Sequence, residues 1–438
     1  MAGMRRFGNK EEKDVVPMRI IVANYRYFIA GGPEKYMFKF IEAAEKRGIE
    51  VIPFSVNNPQ NLDTPYSKYF AKPRSKQLMY ADTEKSLSNY IGMFRSTVWN
   101  WDAEIRLRKL IRDTKPDAVY ILHEVNHLSP SIIHAAKSEG VRVVHRISDF
   151  FMFCPRYDFL CGDDICEACI HGDYSKAIEK KCVKGSNMGT RLRVLAMKFY
   201  KKRKVFNEVD KFICTCEFSK NKLIEGGVAE NRIECVHTFI DSSSISPCYE
   251  NDHYFLFLGR MAHQKGTIYA IEAMKYLKDT DYVLKITGTI SDSEEDQAIW
   301  KYIVENGLED KIVFTGFKHG KELDELIDRS TAIVCPAIWY ENMPNTVIEA
   351  YAHGKPVVAS RIGSLAEIVV DSETGLLFEM KNSRDMADKL EKFVADDKLS
   401  EKLGRQARTK VENAYCEDKH ISRILGILYD KMEVYNGY

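Results

Sequence analysis

Short apolar runs alternate along this chain with longer amphipathic stretches. Arg19–Ala23 (RIIVA) predicts a buried strand, a glycine-bearing turn follows, and residues 34–47 predict a helix. Val51–Val56, Ala118–Leu122, Val141–His145 and Lys211–Cys214 continue the series, with a helix over about 130–138. A second series begins at Tyr254–Leu258 and runs through Val283–Thr287, Ile312–Thr315, Ala332–Cys335 and Pro356–Ser360. Strands without internal polar alternation, separated by helical intervals, predict parallel sheets covered on both faces. The Ser-rich segment 241–252, with Pro247 inside it, reads as the linker between the two series. The expected fold is therefore α/β: two tandem doubly wound, Rossmann-like domains facing a cleft, one over 17–240 and one over 253–416. A last helix over 417–438 is expected to pack back on the first domain. Ligands in such sheets bind beyond the carboxyl ends of the strands.

Length supports that division, since 438 residues exceed one core of ordinary size. Residues 1–16 are polar and read as a disordered tail. No apolar run approaches the ~20 residues that span a bilayer, which predicts a cytoplasmic protein. The formal net charge of +1 offers no global field for nucleic acid. The exception is local: Arg191–Lys204 (RLRVLAMKFYKKRK) predicts a basic amphipathic helix suited to peripheral contact with a membrane face. The other reading of that stretch is an ordinary surface helix.

The candidate chemistry is concentrated after the second-series strands. Leu258–Gly266 (LGRMAHQKG) places Arg260 and Lys265 in a strand-end loop, where a guanidinium fork and a mobile ammonium can clamp a diphosphate. Glu341–Gly354 (ENMPNTVIEAYAHG) predicts a helix beginning near Asn345, with Asn342 as a cap, Pro344 in its first turn and an anion site at its N-terminus. Glu341 and Glu349 can each accept paired hydrogen bonds from vicinal hydroxyls. These residues and spacings, with the continuation GKPVVAS and GSLAEIVVDSETGLLF (363–378), resemble the family-4, or group 1, retaining glycosyltransferases of GT-B architecture. That resemblance implies transfer of a hexose, with retention and without a catalytic metal, from a nucleotide-diphosphate sugar to a glycan or lipid-linked acceptor in cell-surface polysaccharide biosynthesis. Arg260 and Lys265 would assist the leaving diphosphate, Glu341 would contact the donor sugar and Glu349 the ribose. Asn345 and Thr346 would present backbone N–H groups, and Gly316 and Phe317 would lie near the base. Gly31 and Gly32 resemble the family's Gly-Gly-x-Glu loop facing the donor phosphate.

Two alignments are open for the family's strand-end histidine: the strand places His145 there, whereas Asp149 and Cys154-Pro155-Arg156 place Ser148 there. His123 and Glu124 follow another strand and are candidates for acceptor contact or for structure. Within a Cys-rich insert over 154–182 of the first, acceptor-binding domain, Cys161, Cys166, Cys169 and Cys182 have spacing compatible with a structural zinc, the alternative being free thiols in an acceptor loop. Asp279-Thr280-Asp281 reads as a turn. A competing class, a non-catalytic sugar-nucleotide-binding subunit of the same fold, would be marked by a damaged donor site, and Arg260, Lys265, Glu341 and Glu349 are all present.

Overall fold

The computed structural model describes residues 18–73, 98–124, 127–259, 261–288, 290–291 and 293–430. The expectations for residues 1–16, Arg260 and the last eight residues lie outside these.

The first sheet holds six parallel strands: β1 (Arg19–Asn24), β2 (Glu50–Phe54), β3 (Ala118–His123), β4 (Arg142–Arg146), β7 (Lys211–Cys214) and β8 (Ile233–Cys235), in the order β2-β1-β3-β4-β7-β8. Between β4 and β7 the chain makes a small antiparallel hairpin, β5 (Leu160–Cys161) and β6 (Asp164–Ile165). The second sheet also has six parallel strands: β9 (Tyr254–Phe257), β10 (Val283–Ile286), β11 (Ile312–Phe314), β12 (Ala332–Cys335), β13 (Val357–Ser360) and β14 (Gly375–Phe378), ordered β11-β10-β9-β12-β13-β14. In each sheet the order reverses beside the first strand, between β1 and β3 and between β9 and β12. Those are the topological switch points at which adjacent loops diverge and leave a crevice.

The ten strands anticipated in the two sheets are present within a residue or two. β8, β14 and the hairpin are additional. Ile233–Cys235 is too short to show a pattern, and β14 is an edge strand opening on a glycine. A Cβ at Gly375 would meet Val357 O at 2.0 Å, so the close approach of β13 requires glycine there.

Apolar side chains fill both faces of each sheet. Ile421, Ile424, Leu425 and Leu428 of the last helix, Glu417–Tyr429, join the core of the first domain beside Tyr36, Phe40 and Tyr120. Tyr415 O accepts from Ile240 N (3.0 Å), which sets the returning chain beside the crossover.

Candidate functional site

Lys265 lies at the end of the loop after β9, in a short 3-10 turn closed by Gly266. Gly266 has φ +68, and a Cβ there would stand 1.9 Å from Pro336 O, so the loop can lie against the end of β12 only with glycine. Ile338 N donates to Gln264 O (3.0 Å), tying this loop to the one after β12. Across that seam Lys265 Nζ donates to Glu341 Oε1 (2.5 Å), and Trp339 Nε1 donates to the same oxygen (2.8 Å). Ser364 Oγ holds the Glu341 carbonyl (2.7 Å). A half-buried ammonium and carboxylate thus sit at the second switch point, each retaining capacity for a ligand.

The helix Asn345–Ala352 begins beside them. Asn342 is not its cap, a correction to the sequence reading: Pro344 occupies that position in extended conformation, with no side-chain cap. Asn342 instead crosses to the first domain. Its Nδ2 donates to Ser148 O (2.6 Å), its Oδ1 accepts from Ser219 Oγ (2.7 Å), and its carbonyl accepts from Thr215 Oγ1 (3.2 Å). The two domains therefore meet at the start of this helix. On the facing side Gly31 and Gly32 open the helix Gly32–Glu45, and a Cβ at Gly32 would stand 3.3 Å from Asn345 Nδ2. Two helix N-termini, with their free N–H groups, converge on one crevice, and such ends attract anions.

Glu349 and Thr346 are half-buried on the same helix, and no described residue is hydrogen-bonded to either side chain. Gly316 (φ +72) follows β11, and Phe317 is 80% exposed rather than core. Arg260 lies outside the described residues.

His145 is not at the cleft, which corrects the strand-end alignment. It lies within β4 and is 5% exposed; its Nε2 pairs with the buried Glu124 carboxylate (3.0 Å) and its ring stacks on Phe206. An interior strand of a parallel sheet is covered on both faces, so a histidine inside it points into the helix layer. Glu124 is held below the usual carboxylate range: burial pushes it up, and His145 and His123 outweigh that. Ser148, two residues past the strand, is the residue touched by the second domain.

The sequence reading weighed His123 but not its partner. His123 ends β3 and its Nε2 lies 3.3 Å from Asp149 Oδ2. Burial pushes His123 down, but Asp149, Glu124 and Glu34 together outweigh it and raise it. Tyr25 packs edge-on to His123 (4.9 Å) and stacked on His127 (5.0 Å). Tyr25 is pushed up to about 12 by burial, with Glu34, Asp149 and Tyr157 adding to it and Arg26 opposing.

All eleven cysteines are free. Cys169 is pushed up to about 12 by burial and then by Cys154, Cys166 and Cys182; Cys182 is pushed up to about 11 by burial and by Cys161, with which it hydrogen-bonds. The four expected ligands and Cys154 therefore share one region. As they stand, no three His, Cys, Asp or Glu side chains among the described residues are arranged to hold a metal ion. Raised in this way, Cys169 and Cys182 are favoured as neutral thiols, and a bound cation would instead favour their thiolates. The hairpin of this insert reaches the second domain: Asp163 pairs with His263 (2.7 Å) and Asp164 with Lys381 (2.9 Å).

The family model described as Glycosyltransferase Family 4 matches residues 30–244, and the one described as Glycosyl transferases group 1 matches residues 240–410. The chain belongs to the group 1, family-4 glycosyltransferases. It is 30% identical over 200 residues to a glycosyltransferase of Methanocaldococcus jannaschii, covering 45% of this chain and 54% of that one. It is 24% identical over 268 residues to the UDP-Gal:alpha-D-GlcNAc-diphosphoundecaprenol alpha-1,3-galactosyltransferase of Escherichia coli, covering 60% and 68%. Its fold resembles that of Anabaena HepE, solved in complex with UDP-glucose, with a TM-score of 0.64, 13% identity and coverage of 94% and 100%. The chain spans about half the length of the first curated relatives it matches. The family member's two sheets and cleft are those of the GT-B architecture.

Proposed function

We propose that this chain transfers a hexose, with retention and without a catalytic metal, from a nucleoside-diphosphate sugar to a glycan or lipid-linked acceptor in cell-surface polysaccharide synthesis on the cytoplasmic side. The observation that carries the reading is the crevice where Gly31–Gly32 faces Asn345, with the Lys265–Glu341 pair at its edge. Two helix N-termini and an ammonium suit a diphosphate, and the carboxylates of Glu341 and Glu349 suit sugar and ribose hydroxyls. Relatives and fold neighbours named for UDP-sugars support the donor class.

In this reading Lys265 and Arg260 neutralise the departing diphosphate, which lowers the cost of the charge that develops as the glycosidic bond breaks. Attack from the same face needs no nucleophilic side chain on the opposite side. Closure of the domains over the donor keeps water out.

Melting of the full chain with UDP tests the reading. A ligand at about 100 times its Kd stabilises by roughly 2.7 kcal/mol. The expected result is a UDP-dependent rise in melting temperature that is lost in Lys265→Ala and in Glu349→Ala. If no nucleoside diphosphate stabilises the chain, or if both variants respond as the parent does, the donor assignment is wrong.

A further inference from the structure

Glu341 sits between two residues whose side chains are anchored in the other domain. Tyr340 leaves the second domain and packs against the core of the first. Its ring centre lies 4.6 Å from that of Phe218, 6.2 Å from Phe159 and 6.5 Å from Phe150. Lys222 Nζ stands 6.0 Å over the same ring and pairs with Glu167 (2.7 Å). Burial raises the Tyr340 hydroxyl, and its hydrogen bond to Glu167 adds to this. Gly363 backs the ring: a Cβ there would meet Tyr340 Cδ1 at 3.1 Å, and its φ of +50 also favours glycine. On the other side of Glu341, Asn342 bridges to Ser148, Thr215 and Ser219.

Two members of the Tyr340 socket, Phe159 and Glu167, come from the Cys-rich insert, which the donor chemistry leaves without a task. The insert makes reciprocal contacts as well. Ile165 of β6 packs against the apolar core of the second domain, and Asp163 and Asp164 reach His263 and Lys381. Those two ion pairs are open to solvent, with Asp163 63% and Asp164 88% exposed, so they add little to stability. What the set of contacts fixes is register. His263 stands two residues before Lys265 in the loop after β9, and Tyr340 precedes Glu341 in the loop after β12. The insert therefore touches both loops that make the Lys265–Glu341 pair. A residue whose two neighbours are anchored has little freedom left in its own φ and ψ. A carboxylate must be held within about 0.5 Å of its working position to recognise a ligand well.

We propose that the insert is a positioning element of the donor site: its Phe159 and Glu167 seat Tyr340, and the seated Tyr340, with Asn342, turns the Glu341 carboxylate toward the donor sugar when the domains are together. Tyr340 acts through Glu341 and is a positioning residue. The assignment of Glu341 to the sugar rests on the glycosyltransferase reading, whereas the coupling of the insert to the loop over 338–342 does not.

Calorimetry on the full chain compares UDP with UDP-glucose, UDP-galactose and UDP-N-acetylglucosamine, and hydrogen exchange follows residues 338–342. The parent binds at least one of the sugar nucleotides more tightly than UDP. Tyr340→Ala weakens that sugar nucleotide about tenfold, the effect of losing a hydrogen bond to a charged group. It leaves UDP affinity unchanged and speeds exchange across 338–342. Tyr340→Phe and Glu167→Ala each give a smaller loss, and combined they give no more than either alone, because both remove one contact between the domains. If Tyr340→Ala melts well below the parent, this cycle decides instead. The proposal is overturned if the sugar adds nothing to UDP binding in the parent, if folded Tyr340→Ala keeps the parent's affinity for the sugar nucleotide or loses UDP equally, or if the two smaller losses add. If none of these nucleotides binds the parent, the UDP-donor reading falls and exchange alone decides the coupling: faster exchange over 338–342 in Glu167→Ala sustains it, and unchanged exchange overturns it.

Discussion

His420 is 4% exposed on the last helix, and its two nitrogens are both engaged: Nδ1 donates to His237 O (2.6 Å) and Nε2 accepts from Tyr36 OH (3.0 Å). Tyr36 also meets Tyr120 OH (2.8 Å) and lies under the Arg146 guanidinium. Burial drives His420 down to about 3; its bond to His237 O opposes this, and the Arg146 charge reinforces it. A histidine whose folded value lies below its unfolded one is stabilising when neutral. That contribution is complete above about 6.5 and is lost as pH falls toward 3. Between pH 7 and 5 the loss should be ~2 kcal/mol, at 1.36 kcal/mol per unit. Urea unfolding at the two pH values should show this part of the decline in the parent and not in His420→Gln; equal declines would rule it out. Residue identity alone did not announce this role. His420 follows Glu417, Asp418 and Lys419 in sequence, and its partners lie 183 and 384 positions away. The same limit separated His145 from Ser148: both stand near a strand end, and only the strand's actual last residue, Arg146, shows which is inside.

At the scale of elements, the Cys-rich insert behaves as one unit with the helix behind it. Cys169, Tyr174, Ala177, Val194 and Met197 form a small apolar cluster, with Cys182 against it. This is a thin core for a segment that bridges both domains through Asp163, Asp164 and the Glu167–Lys222 pair (2.7 Å). A tetrathiolate metal would supply the stability that so few apolar side chains do not. The expectation is about one zinc per chain by elemental analysis, released together with a lowered melting temperature on chelation. A fully folded chain without metal would refute it. The cysteine spacing was visible in the sequence, but the contact of its hairpin with the donor loop at His263 was not, because it joins residues 100 positions apart.

For the whole molecule, a formal charge of +1 conceals a strong segregation. Residues 175–204 carry eleven Lys and Arg side chains against Glu179 alone, and Lys198, Lys201, Lys202, Arg203 and Lys204 are exposed, with Met188 60% and Leu195 49% exposed beside them. No helix among the described residues is long and apolar enough to cross a membrane. A basic surface with two exposed apolar side chains instead suits reversible contact with anionic lipid, at about 1 kcal/mol per basic residue near the surface. We therefore expect the chain to sediment with phosphatidylglycerol vesicles at low salt and not with phosphatidylcholine vesicles. Replacing Lys198, Lys201 and Lys202 by Glu should abolish this. Sedimentation unaffected by that charge reversal would argue against the surface.

Local pattern sufficed wherever the determining contacts are short in sequence. The alternation of apolar runs and helical intervals, the two six-stranded domains except for β8 and β14, and the spacing of Lys265, Glu341, Asn345 and Glu349 all follow from neighbours along the chain. Tertiary structure alone decided which polar groups share a crevice. It joined Lys265 to Glu341, turned Asn342 from a helix cap into an interdomain bridge, buried His145 against Glu124, and placed His123 beside Asp149. Those pairings depend on strand order and on how two domains face each other, and neither is encoded in any single stretch of residues.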